Sequence, residues 1–191
     1  MSAASTAPTE VPAGYRLHST LDLKENPRAA VTIQVGFAAA VAALIAVALL
    51  LDLPLDGSWH PAVVAALTVA ACLVYMVAHE AIHGVFLWWL TKVRPTFAVR
   101  LPYLVTGSPA LISRRHAIVV ALAPVVLWGL VLLSLVRDLP SELFLTVYVV
   151  LVINVASSAG DALQAYAFAR LPADALVRDD GRVTQVFLPV R

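Results

Sequence analysis

The stretch AVVAALTVAACLVYMVAHEAIHGVFLWWL, residues 62–90, places two histidines and a glutamate inside a largely apolar run. About 20 apolar residues are enough for a helix to cross a lipid bilayer. Each ionisable side chain at the centre of such a helix costs roughly 2.5–3.5 kcal/mol on insertion scales. The clustered His79, Glu80 and His83 therefore predict a bound metal ion or polar partners that satisfy them.

The composition indicates that the whole 191-residue chain is a membrane protein. Hydrophobic residues make up 61% of it and charged residues 13%, with a mean hydropathy of +0.86. A bilayer can absorb that much apolar surface, whereas a soluble core cannot. A net charge of +1 without a basic run gives no reason to expect a nucleic-acid partner, and the single Cys72 excludes an internal disulfide. Four stretches pass the length test for a span: 29–51, 62–90, 117–136 and 143–169.

The positive charges predict how these spans are oriented. Twelve of the thirteen Lys and Arg lie before the first span, between the second and third, or after the fourth, and only Arg137 lies in the two remaining connections. Because Lys and Arg favour cytoplasmic loops, both termini are expected in the cytoplasm. The chain then divides into a cytoplasmic N-terminal segment 1–28, an integral membrane domain 29–170 and a cytoplasmic tail 171–191.

Two segments outside the spans carry strand signals. The segment 91–116 holds three prolines and a glycine, and its part TFAVRLPYLV is rich in strand formers. It is expected to form a short β hairpin or an irregular loop. In the tail, an Asp-Gly pair flanked by apolar residues predicts a second hairpin, with a disordered tail as the alternative. The predicted fold class is an all-α membrane protein of four transmembrane helices, to which these hairpins would be additions.

The spacing of the polar trio fits a metal site on one helical turn. Residues four apart share a helix face, so His79 and His83 can direct imidazole nitrogens at one ion. Glu80 lies about 100° further round the helix and can reach a water beside the metal without being a ligand. A catalytic zinc site typically has three protein ligands, so a third is expected elsewhere in the chain.

Asp161 is the predicted third ligand. It is the only acidic residue well inside the fourth span, and Asn154, two turns earlier, shares its helix face. One alternative is a protonated Asp161 that hydrogen-bonds to a serine or histidine. Another is His116, at the start of the third helix, as the ligand instead.

The depths of the two motifs agree. His83 lies nine residues before Lys92, and Asp161 lies nine residues before Arg170. At 1.5 Å per residue, both lie roughly 13–14 Å inside their cytoplasmic charge. The second and fourth spans are expected to run in the same direction, so the two motifs should meet at one level.

These motifs resemble the zincin peptidase family of small bacterial membrane proteins, relatives of the site-2 proteases. The resemblance covers nearly the whole chain and rests on AGYRLHSTLDL (13–23), AHEAIHG (78–84), RRHAIVVALAP (114–124) and NVASSAGD (154–161). It implies that His79, His83 and Asp161 bind one zinc ion and that Glu80 is the catalytic base. It also implies that Asn154 positions the substrate or stabilises the oxyanion.

The chain departs from the site-2 protease pattern in its last motif. That pattern has a proline after the asparagine and a glycine after the ligand aspartate. Here Gly160 precedes Asp161, and no proline lies between Asn154 and Asp161. The departure leaves the role of Asn154 less well supported than that of Asp161. The resemblance further implies a multi-pass protein of the bacterial cytoplasmic membrane with a metallopeptidase-like domain at 29–170.

The function expected from these motifs is an intramembrane zinc metallopeptidase. Its partners would be the lipid bilayer and a transmembrane or membrane-associated protein substrate, with Glu80 taking a proton from the attacking water. Two alternatives stay open. One is a non-catalytic, metal-binding membrane scaffold or regulator. The other is a transporter of metal ions or protons, in which buried His, Glu and Asp also occur, although the chain lacks the internal repeat common in transporters.

Overall fold

The computed structural model describes residues 6–21, 26–100 and 103–190. Lys24 and Arg191, both used in the predicted orientation, lie outside these residues, as does the end of the 13–23 motif. The helices are α1 (Pro27–Leu50), α2 (Pro61–Thr91), α3 (Arg114–Asp138), α4 (Ser141–Ser157) and α5 (Ala159–Ala169). The strands are β1 (Tyr15–Leu21), β2 (Thr96–Arg100), β3 (Tyr103–Gly107), β4 (Ile112–Ser113), β5 (Leu176–Asp179) and β6 (Thr184–Pro189).

The four predicted spans are confirmed as helical segments that are long and apolar enough to cross a membrane. Two of them start where the local sequence favours a helix N-terminus. The Asn26 side chain accepts hydrogen bonds from the main-chain N–H groups of Arg28 and Ala29, and Pro27 follows it at the first helical position. The Ser113 side chain caps α3 in the same way by accepting from the His116 N–H.

The fourth span is not the single continuous helix that its apolar pattern predicts. It is interrupted at Ser158, between α4 and α5. The Ser158 hydroxyl donates to the Asn154 carbonyl at 2.7 Å, and such side-chain bonds to the preceding turn compete with the helical ladder and bend helices. Asn154 and Asp161 therefore lie on different helices, although both still face α2.

Side-chain contacts show that α2 and the fourth span run in the same direction. The Thr68 hydroxyl lies 2.9 Å from the Thr146 hydroxyl, and further along both helices the Tyr75 hydroxyl donates to Asn154 Oδ1 at 2.9 Å. The fourth span packs against all three other spans and so occupies the centre of the bundle. This arrangement brings the motifs AHEAIHG (78–84) and NVASSAGD (154–161) to one level along the bundle.

Helices α1 and α3 run in the opposite direction. In α3, Val120 contacts His83 and Trp128 contacts the ring of Tyr75, which precedes His83 on α2. Two clusters of buried apolar residues follow from this packing. One includes Tyr75, Leu132 and Phe144, and the other includes Leu87, Val120 and Phe168. The polar trio of α2 lies between them.

The prediction of an all-α fold is wrong in part, because two antiparallel sheets accompany the helices. Strands β2 and β3 form the hairpin predicted in the segment 91–116, and β5 and β6 form the hairpin predicted in the tail. The tail hairpin belongs to a sheet of order β1-β6-β5-β4. Strand β1 was not predicted, because its pairing partner β6 lies at the other end of the chain. The strands adjoin the helix ends at which α1 and α3 begin and α2 and α5 end.

The two sheets touch at Gly107, the last residue of β3. The Ser108 N–H donates to the Asp179 carbonyl at 2.7 Å, and a Cβ on Gly107 would overlap the main chain of Asp180. The turn that meets Gly107 contains Gly181 at a φ of +81°, a conformation that favours glycine. Only a residue without a side chain allows this contact between the β2–β3 hairpin and the tail.

Replacing Gly107 with alanine should separate the hairpin from the tail sheet. Overpacking against main chain that cannot move aside costs about 1–3 kcal/mol, so the thermal unfolding midpoint in detergent should fall. Gly36→Ala in α1 is the matched control, because a Cβ there would meet Ala159 Cβ at 3.4 Å, an ordinary contact. Equal midpoints for the two variants would contradict the proposed role of the contact.

Candidate metal centre

The histidines His79 and His83 extend from one face of α2, as their spacing predicts. Their ring centroids lie 5.1 Å apart, and both side chains are largely buried. Together with Glu80 they form a group whose potential ligand atoms all lie within 4.8 Å of one another. These three residues could therefore hold a metal ion.

Asp161, in the first turn of α5, lies opposite both imidazoles. Its Oδ2 is 3.2 Å from His79 Nε2, and its Oδ1 is 3.6 Å from His83 Nε2. Ligand atoms about 2.0–2.1 Å from a tetrahedral zinc ion are about 3.3 Å from one another. The two distances lie on either side of this value, so a carboxylate oxygen of Asp161 is about as far from each imidazole as two ligands of one zinc ion are from each other.

The tautomer of His79 follows from a chain of hydrogen bonds that starts at a main-chain carbonyl. Asn154 Nδ2 donates to the Val125 carbonyl at 3.2 Å, which turns Asn154 Oδ1 toward Tyr75. Because Oδ1 can only accept, the Tyr75 hydroxyl donates its single proton there, at 2.9 Å. The Tyr75 oxygen must then accept from His79 Nδ1–H, 2.8 Å away. His79 Nε2 is left with a lone pair that faces Asp161.

The tautomer of His83 follows more directly. Its Nδ1 lies 2.9 Å from the carbonyl oxygen of Val120 in α3, and this oxygen can only accept. His83 therefore carries its proton on Nδ1 and presents a lone pair at Nε2. Hydrogen bonds of this kind on the far nitrogen orient histidine ligands in many metal sites.

The donor set suits a divalent cation. Two imidazole lone pairs and one carboxylate, all electron-rich, face one another in a partly buried position. His79 Nε2 and Asp161 Oδ2 are at hydrogen-bonding distance, so either a proton or a cation can lie between them. Two imidazoles with a carboxylate are ligands that zinc accepts well. The residues that the resemblance implies as ligands, His79, His83 and Asp161, are thus brought together.

The Glu80 carboxylate lies beside the imidazoles and also contacts the β2–β3 hairpin. The Thr106 hydroxyl lies 2.8 Å from Glu80 Oε2 and 3.0 Å from the Glu80 main-chain oxygen, so it donates to this pair of acceptors. Thr106 is a site residue that the sequence did not indicate, because it lies 26 positions from Glu80 on another element. The contact orients a carboxylate beside the metal group.

The two histidines, Glu80 and Asp161 face a cavity of about 740 Å³. Its walls come from all five helices, from β3 and β4, and from the tail hairpin. His79, Glu80, His83 and Asp161 all line it, as does Thr106. The cavity is large enough for a peptide segment beside the metal group, since ligand pockets typically measure about 300–1,000 Å³.

Comparison of the sequence with models of protein families shows which family the chain belongs to. A family model described as "Putative zincin peptidase" matches residues 72–176, more than half of the 191 residues. The chain belongs to this family. Comparison with curated proteins and with solved structures gave no match. Membership in the zincin peptidase family and the His-Glu-His group together support a zinc metallopeptidase.

Two other residues considered for the site, Asn154 and His116, do not line up with His79, His83 and Asp161 at the cavity. Asn154 is fully buried; its Oδ1 accepts from Tyr75 and its Nδ2 donates to the Val125 carbonyl. Among the described residues it is not part of the cavity wall. His116, the alternative third ligand, is exposed at the start of α3. Tyr75 was missed in the sequence, although its place four residues before His79 puts it on the same helix face.

Removing the Tyr75 hydroxyl should weaken metal binding. Tyr75→Phe leaves His79 Nδ1 without its partner, and loss of such a partner typically costs about 10–100-fold in metal affinity. Zinc affinity of the purified protein, measured by chelator competition, tests this. Tyr148→Phe is the matched control, because its hydroxyl donates to the Leu44 carbonyl away from the site. Equal losses in the two variants, or none in Tyr75→Phe, would contradict the hydrogen-bond chain.

Proposed function

We propose that this member of the zincin peptidase family is an intramembrane zinc metallopeptidase. Its substrates would be membrane-embedded or membrane-associated proteins, and its peptide-bond hydrolysis would use one zinc ion. The observation that carries the proposal is the position of the His-Glu-His group on a helix apolar and long enough to span a membrane, opposite Asp161. We also propose that the chain is related to the site-2 proteases, because the HExxH motif (79–83) precedes the Asn…Asp motif (154–161) along the chain.

His79, His83 and Asp161 would hold the zinc ion. When bound, zinc acts as a Lewis acid that lowers the pKa of water toward about 7 and polarises a carbonyl oxygen. The protein contributes the geometry, because both imidazoles are already oriented by hydrogen bonds on their far nitrogens. No reorganisation of these ligands is then needed when the ion binds.

Glu80 would be the general base. Its carboxylate would take the proton of the attacking water and later pass it to the leaving amine, which balances the hydrolysis. Thr106 holds Oε2 by its hydroxyl, which leaves Oε1 available for the water. The proton-transfer step would thus depend on a residue of the β2–β3 hairpin as well as on α2.

The hairpin also offers a way to hold an unwound substrate. A substrate helix in lipid keeps its amides hydrogen-bonded internally, so its scissile bond becomes accessible only after local unwinding. Strand β3 pairs with β2 along one edge, and Leu104, Val105 and Thr106 of β3 line the cavity. An extended substrate segment could pair with β3 and satisfy its amides there. Asn154 would assist by holding Tyr75 rather than by touching the substrate.

Glu80→Gln should abolish hydrolysis and keep the metal. Loss of a general base typically lowers the rate about 10²–10⁴-fold, whereas amide and carboxylate have nearly the same shape. The measurement is cleavage of a fluorescently tagged single-span protein in proteoliposomes, with zinc content determined in parallel. His79→Ala and Asp161→Ala are the comparison variants and should lose stoichiometric zinc. Full activity in Glu80→Gln would refute the assignment of the base, and full zinc in Asp161→Ala would refute that of the third ligand.

The proposed setting is the bacterial cytoplasmic membrane, with both termini in the cytoplasm. Pairing of β1 with β6 supports the shared side, because it joins the N-terminal segment to the tail in one sheet. Fluorescent-protein fusions at either terminus should fluoresce, and alkaline phosphatase fusions there should be inactive. A phosphatase fused after residue 56, in the connection between α1 and α2, should be active. The opposite pattern would overturn the orientation.

A further inference from the structure

Helix α3 contains a buried proline beside the metal group. Pro124 lies within α3 and is under 2% exposed. In an α-helix the N–H of residue 124 would donate to the carbonyl of Val120, four residues earlier. Proline has no N–H, and its ring pushes the carbonyl of that residue away from the helix axis. The Val120 carbonyl is therefore without its helical donor.

The donor that reaches this carbonyl is a metal-site histidine. His83 Nδ1 lies 2.9 Å from the Val120 oxygen. Val120 is only 9% exposed, and a buried carbonyl left without a partner is costly. The contact pairs the largely buried His83 imidazole with a carbonyl that lacks its helical donor, and it leaves His83 Nε2 facing Asp161, 3.6 Å away.

We propose that Pro124 is a positioning residue for the metal site. By removing one N–H from α3, it keeps the Val120 carbonyl available and tilted toward α2. This carbonyl then selects the tautomer and ring orientation in which His83 can bind a metal. The inference rests on the metal site within the proposed function but not on peptidase activity.

The other histidine provides an internal comparison. The chain through Asn154 and Tyr75 to His79 starts at the Val125 carbonyl, whose helical donor, the N–H of Gly129, is present in the sequence. That carbonyl accepts its side-chain bond at 3.2 Å, against 2.9 Å at Val120. The two supports therefore differ in whether the accepting carbonyl also has a helical donor.

The experiment compares two replacements of Pro124 that differ in one N–H group. Pro124→Ala restores the N–H, which competes with His83 for the Val120 carbonyl. Replacement by lactic acid, introduced as an α-hydroxy acid by nonsense suppression, gives the same methyl side chain with an ester in place of the amide. We expect zinc affinity about 10–100-fold weaker in Pro124→Ala and within about threefold of the parent in the ester variant.

Each outcome decides the proposal. Pro61→Ala, at the first position of α2 where an N–H would have no helical acceptor, is the control and should keep the parent's affinity. In the metal-free protein, ¹⁵N NMR of the imidazoles should show the Nδ1–H tautomer of His83 in the parent and in the ester variant, and a mixture in Pro124→Ala. Parental affinity in Pro124→Ala, or equal weakening in the ester variant, would overturn the role of the missing N–H. Neither result depends on whether the protein hydrolyses peptides.

Discussion

Two imidazole lone pairs and a carboxylate face one another between α2 and α5, and the rest of the site depends on this constraint. Asp161 lies 3.2 and 3.6 Å from the two imidazole nitrogens, and contacts this short need a proton or a cation between the groups. The protein fixes both imidazoles by hydrogen bonds on their far nitrogens. Each imidazole donates its remaining N–H to an acceptor on the side away from Asp161, so neither ring can turn without losing a buried hydrogen bond.

Those acceptors lead back to α3. His83 donates to a main-chain carbonyl of this helix, and His79 reaches a second carbonyl through Tyr75 and Asn154. Tyr75 and Asn154 are buried, so no solvent can replace the hydrogen bonds between them. Helix α3 contributes no ligand, yet it determines the orientation of two. The same physical requirement explains why Asn154, a polar residue in an apolar span, is fully buried.

The sheets connect the metal group to the surface on which a substrate would bind. Thr106 of β3 holds the Glu80 carboxylate, and the next residue, Gly107, packs against the turn of the tail hairpin. On the other side, Gln164 of α5, three residues after Asp161, donates to Asp179 at 2.8 Å. Both halves of the site are thus fastened to the tail hairpin.

The sequence by itself determined the parts that follow from local pattern. Apolar length placed four candidate spans, helical spacing put His79 and His83 on one face, and an Asp-Gly pair marked the tail hairpin. Tertiary structure decided everything that depends on separate segments meeting. The break at Ser158, the pairing of β1 with β6, the bond from Thr106 to Glu80 and the support of both histidines by α3 join residues on different elements. Spacing along one helix gives the direction of a side chain, but only packing brings its partner within hydrogen-bonding distance.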